Sequence, residues 1–246
     1  MIHSSNPVLT NKLFRDATFS DTTKMTVQGT VNKTIFLFLI LLTSAMWTWK
    51  ASFTSGPAAV TPWIFIGVIG GLVAAVVTIW KKKLAHITTP IYALFQGLFL
   101  GAISSIFEVQ YPGIVIQAVG LTFGTLFCLL GAYKSGLIKA TENFKLGITA
   151  ATGGIMFFYF FSFIFSLFGF HLNTIFGNGI LGIGFSLIVV TIAALNLVMD
   201  FDFIENGANH GAPKQMEWIG AFGLMVTLIW LYIEILRLLA KLRSRN

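Results

Sequence analysis

Long windows free of charge decide what this chain can become. Residues 34–49, 51–80, 84–107, 109–133, 146–199 and 218–233 contain no Asp, Glu, Lys or Arg. A helix rising 1.5 Å per residue needs about 20 apolar residues to cross a hydrocarbon core. Each window, extended by its apolar flanks, holds one crossing, except 146–199, whose 54 residues hold two. Helices are therefore expected near 34–52, 61–80, 88–107, 113–133, 147–169, 179–204 and 217–240. The runs do not alternate apolar with polar residues, which excludes an outer-membrane barrel. At 56% hydrophobic and 10% charged residues, with a mean hydropathy of +0.83, the composition fits no soluble domain of 246 residues. The expected fold class is all-α: a polytopic seven-helix membrane bundle over 34–242, with a polar tail at 1–33 and a basic tail at 243–246.

Basic residues orient it. Lys12, Arg15, Lys24 and Lys33 precede the first helix, Lys81, Lys82 and Lys83 fill the second loop, and Lys134, Lys139 and Lys145 the fourth. The first, third and fifth loops hold only Lys50. The positive-inside rule then predicts a cytoplasmic N-terminus, a retained first helix and a multi-pass protein of the bacterial cytoplasmic membrane. Seven crossings carry Lys241, Arg243 and Arg245 to the far side, against that rule, and a segment near 200–216 that re-enters instead of crossing is the alternative. Orientation and anionic lipid account for the net charge of +7, so a nucleic-acid partner is not expected.

Several patterns carry no chemistry. GNGILG at Gly177–Gly182 matches a dinucleotide fingerprint, but no strand precedes it, and it reads as a close-packed helix start. The pairs Gly67 with Gly71, Gly97 with Gly101, and Gly120 with Gly124 are G-x-x-x-G spacings that let helices approach. Cys128 reads as a packing residue, and His3, His86, His171 and His210 lack metal-ligand spacing. No nucleophile elbow occurs, and Ser104 and Ser105 have no nearby histidine, so an enzyme is not expected; an intramembrane protease using two acids ranks third. No cofactor is expected.

The informative residues are acids at membrane depth. Asp200 and Asp202 follow the run FSLIVVTIAALNLVM, and Glu234 sits inside MVTLIWLYIEILRLLA. Such an acid costs roughly 2.5–3.5 kcal/mol on insertion scales, so it faces a bundle interior, a partner or an ion path. The bland alternative is that Glu234 and Arg237, three apart on one helix, neutralise each other. Asp202 and Glu205 read as a solvated helix end, and Glu108 and Glu217 as interfacial. The 25 Phe and 6 Trp are mostly lipid-facing and belt material.

Four blocks carry a resemblance: PIYALFQGLFLGAIS from Pro90, YPGIVIQAVGLTFGT from Tyr111, IAALNLVMDFDFIENG from Ile192 and APKQMEWIGAFGLMVTLIWLYIEILRLLAKL from Ala212. With SNPVL at Ser5, they extend over nearly the whole chain, which resembles the bacterial Bax inhibitor-1/YccA-like family. The resemblance implies a seven-helix bundle with the seventh helix central and a pH-sensitive calcium leak. Some relatives are instead associated with restraint of a membrane-bound AAA protease. It also implies an acid in the sixth helix within D-x-x-x-I, matched by Asp200 with Ile204, and one in the seventh within L-Y-x-D-I, matched by LYIEI at Glu234. Three features depart from the pattern: Glu replaces the usual Asp at 234, Gln96 stands where many relatives carry glutamate, and the two acids are separated by a long connection.

If Asp200 and Glu234 meet, they titrate as a coupled unit and hold one proton between them. Losing it leaves hard oxygens suited to a transient Ca²⁺, with Asp202, Arg237 and Glu217 as accessory residues. The implied partners are lipid, calcium ions and protons, with calcium as transported ion, and a membrane protease in the rival reading. The spacing sets up a conflict: a simple hairpin near Asn209 levels Glu217 with Asp200 and leaves Glu234 about 25 Å further along.

Overall fold

The computed structural model describes residues 24–169, 175 and 177–245. Among these, seven helices are long and apolar enough to cross a membrane. They are α1 Val27–Ser55, α2 Thr61–Trp80, α3 Ala85–Gln110, α4 Ile114–Lys134, α5 Glu142–Leu167, α6 Ile180–Asn209 and α7 Met216–Arg243. No strand is present among the described residues beyond an isolated bridge between Lys24 and Pro213.

The charge-free windows find every helix and cut several short. α1 starts at Val27 rather than 34, because Thr26 caps it: the Thr26 hydroxyl accepts the Gly29 N–H at 2.9 Å. α5 starts at Glu142 rather than 147, where Thr141 accepts the Phe144 N–H at 3.3 Å and an acid in the first turn suits the helix dipole. α6 continues through Asp202 and Glu205 to Asn209, so the 200–209 stretch is helix.

One compact unit comprises Lys12–Val115, described from Lys24 onward, with Phe203–Met225. In it α1 and α2 each pack along α3. The glycine pairs explain the closeness. A Cβ at Gly97 would overlap the Leu41 carbonyl and one at Gly101 the Ala45 carbonyl, while one at Gly67 would lie 2.7 Å from the Phe95 carbonyl oxygen. Tyr92 of α3 meets Phe222 of α7 edge to face at 4.8 Å. Glu108, expected to be merely interfacial, has a defined task. Its carboxylate accepts the N–H groups of Gly113 and Val115, the latter at 3.1 Å, and so caps α4. At the α6–α7 turn Gly211 adopts φ 67°, a conformation open to glycine, and the Met25 N–H donates to the Ala212 carbonyl at 2.7 Å.

The second unit comprises Ile116–Asp202 with residues 226–245. Its α4 corrects two expectations. Gly120 and Gly124 face open space, and Cys128 is exposed, so none of the three packs against another helix among the described residues. The buried face of α4 there runs through Ala118 and Thr122, and the glycines fall on the other side. At the start of α6, Gly182 is held against the Gly177 carbonyl, as a close-packed helix start requires. Phe157, Phe160, Phe161 and Phe163 of α5 are exposed, in keeping with a lipid-facing surface. α7 stands apart from the other helices: 78% of its most apolar stretch is buried, against 11–50% for the other six.

Candidate functional site

Asp200 and Glu234 are 0% and 2% exposed, although each lies in a helix of spanning length, and both belong to the second unit. Glu234 accepts a hydrogen bond from the Tyr159 hydroxyl of α5 at 3.2 Å. Its Oε1 also meets the Arg237 guanidinium at 3.4 Å, a pair whose arginine is half exposed. The i,i+3 neutralisation read from the sequence is therefore present, and it coexists with a bond to a second helix.

Asp202 is a correction. It is not a solvated helix end: its carboxylate, 14% exposed, pairs with the buried Lys145 of α5 at 2.9 Å. Glu142 approaches the same ammonium at 3.4 Å. Glu205, one turn further, is exposed as expected. Above Lys145 on the same helix, Thr152 accepts the Asn196 side-chain amide of α6 at 2.9 Å, and both are buried. Lys241, near the end of α7, donates to the Ser186 hydroxyl at 2.9 Å and to the carbonyls of Gly182 at 3.0 Å and Ile175 at 3.4 Å. This ammonium is thus engaged by protein oxygens, which removes part of the conflict between the C-terminal charges and the positive-inside rule.

Glu217 is the second correction. It is 1% exposed rather than interfacial, and it belongs to the first unit, whereas Asp200 and Glu234 belong to the second. One carboxylate oxygen accepts both the N–H and the hydroxyl of Thr26, each at 3.0 Å, and the other pairs with Lys33. Lys33 also stands 5.3 Å from the centre of the Trp218 ring. A cavity of about 450 Å³ lined by Thr26, Asn32, Lys33, Lys214, Glu217 and Trp218 opens beside this cluster. The start of α1 is thereby fastened to the start of α7.

Calcium takes six to eight oxygen ligands. Around Glu234 the donors are one carboxylate and one phenol, with a guanidinium beside them, and no group of three His, Cys, Asp or Glu is clustered among the described residues. That donor set is too small to hold a resident calcium ion. The sequence reading missed Lys145, Thr152, Tyr159, Asn196, Lys241, Lys33 and Thr26. The available signal was spacing: 145, 152 and 159 on α5, and 227, 234 and 241 on α7, put polar residues at heptad intervals within apolar helices.

No curated protein and no solved structure matches the chain. The family model described as Bax inhibitor 1 like matches residues 6–244. Seven spanning helices and acids buried within two of them agree with a match of that length, and the chain belongs to the Bax inhibitor-1-like family.

Proposed function

We propose that this protein is a non-enzymatic calcium leak under proton control, with Asp200 and Glu234 as its controlling acids and Ca²⁺ as cargo. Family membership supports the class. The observation that carries the reading is the near-complete burial of both acids inside helices of spanning length, a costly placement that packing alone does not reward. The groups facing Glu234 are Tyr159 from α5 and Arg237 from its own helix, with the positive charge of Lys241 adding to its field. Protonating Glu234 removes the charge that holds Arg237 and relaxes the grip on the Tyr159 hydroxyl. In this reading the protein works in a bacterial cytoplasmic membrane with its N-terminus inside.

The rival, restraint of a membrane-bound AAA protease, assigns the work to the N-terminal tail, most of which lies outside the described residues. Lys24–Thr26 belong to the fold through Ala212, Pro213 and Glu217, so an informative truncation stops at Thr23. Deleting residues 2–23 is expected to leave calcium flux intact, whereas Asp200→Asn changes it. A native protein with no flux above protein-free vesicles, whose restraint of a membrane protease is lost on tail deletion, supports the rival.

A further inference from the structure

Three helices of the second unit share a pattern that the acids alone do not explain. Positions seven apart lie on nearly the same face of a helix, about 10.5 Å along its axis. Lys145, Thr152 and Tyr159 take that spacing on α5, and Thr227, Glu234 and Lys241 take it on α7. Between them α6 supplies Ser186, Asn196, Asp200 and Asp202. Lys145, Thr152, Ser186, Asn196, Asp200, Thr227 and Glu234 are all buried. Polar side chains in that number inside apolar helices are expensive, and chance placement would scatter them around the helix faces.

Cross-helix bonds order the pattern. Lys145 pairs with Asp202 at 2.9 Å, Thr152 with Asn196 at 2.9 Å, Tyr159 with Glu234 at 3.2 Å, and Lys241 with Ser186 at 2.9 Å. On α6, Asp200 falls between Asp202 and Asn196, hence between the first and second rungs, while Glu234 makes the third. From Lys145 to Tyr159, and then from Glu234 to Lys241, the rungs cover roughly 30 Å of helix rise, the thickness of a hydrocarbon core. Each end is held by an ammonium bonded to oxygens: Lys145 by Asp202 and Glu142, and Lys241 by Ser186, Gly182 and Ile175.

We infer that α5, α6 and α7 carry one polar file across the membrane, that Thr152, Asn196 and Tyr159 line the ion path between the two acids, and that Lys145 and Lys241 close it at either end. The inference rests on the proposed leak and assigns its route. Hydroxyl, amide and carboxylate oxygens suit protons and hard cations such as Ca²⁺. A lysine ammonium seated among oxygens occupies the place a passing cation would take, and it repels the next one. Asp200 and Glu234 then act as successive stations, and a proton passes between them through the intervening residues.

The test uses the full chain in vesicles loaded with a calcium dye, with a co-trapped fluorescent dye to report nonspecific leakage. Thr152→Val with Asn196→Leu removes both partners of the buried Thr152–Asn196 bond, so neither is left facing the other's unpaired group. This double variant and Tyr159→Phe are each expected to lower calcium flux at least tenfold, with the unfolding midpoint in detergent within a few degrees of native. Thr152→Ser, which keeps the hydroxyl, retains native flux. Lys241→Met is expected to raise flux severalfold without release of the trapped dye, and Lys241→Arg to stay near the native rate. Native flux that is unchanged by the Thr152/Asn196 pair and by Tyr159→Phe, or lowered by Lys241→Met, overturns the file and leaves the leak standing. Absence of calcium flux in the native protein removes the leak and the file together.

Discussion

Glu217 takes a charge out of water and is repaid by neighbours from a distant part of the chain: the Thr26 N–H, the Thr26 hydroxyl and the Lys33 ammonium. Substituting one member strands the others. Glu217→Gln and Lys33→Met are each expected to lower stability by about 2–3 kcal/mol. The double variant costs clearly less than their sum, because nothing charged is left unpaired. Unfolding in detergent measures all three, and additive costs would show that the pair makes no interaction of its own. Nothing in the residue pattern foreshadows this cluster, since Lys33 and Glu217 are 184 positions apart and each resembles an ordinary boundary charge. Asp202 was misread for the same reason: a carboxylate at the end of an apolar run is solvated unless another helix supplies a cation, and Lys145 does.

At the scale of elements, helix existence was legible and helix ends were not. A charge-free window reports where lipid tolerates the chain, whereas capping decides where the helix starts, and Thr26 and Thr141 lie outside the windows. Glycine spacing was legible only in part. Gly97 and Gly101 face carbonyls of α1, while Gly120 and Gly124, at the same spacing, face open space. Gly101→Ala is therefore expected to destabilise by about 1–3 kcal/mol through overpacking. Gly120→Ala is expected to be neutral or to stabilise by up to about 1 kcal/mol through helix propensity. Comparing the two unfolding midpoints in one detergent checks this, and equal losses would mean that the α1–α3 approach is not set by these residues.

At the scale of the molecule, composition and window lengths carried the class: seven helices capable of spanning, with α7 the most buried. The burial of the two acids was legible because their depth in apolar runs is anomalous in sequence. Their surroundings were not legible, because Tyr159, Asn196 and Thr152 acquire meaning only when α5, α6 and α7 are side by side. Glu217 is committed to Thr26 and Lys33 at the start of α1. The charged side chains of the second unit include Asp202 paired with Lys145 and Glu234 paired with Arg237.

Calcium entry into dye-loaded proteoliposomes between pH 5 and 8, comparing the native chain with Asp200→Asn and Glu234→Gln, tests the central claim most directly. The predicted result is a leak above protein-free vesicles whose rate varies with pH in the native protein, with that variation flattened in each variant. A native leak that does not vary with pH, or a pH profile that both substitutions leave unchanged, contradicts proton control by these two acids.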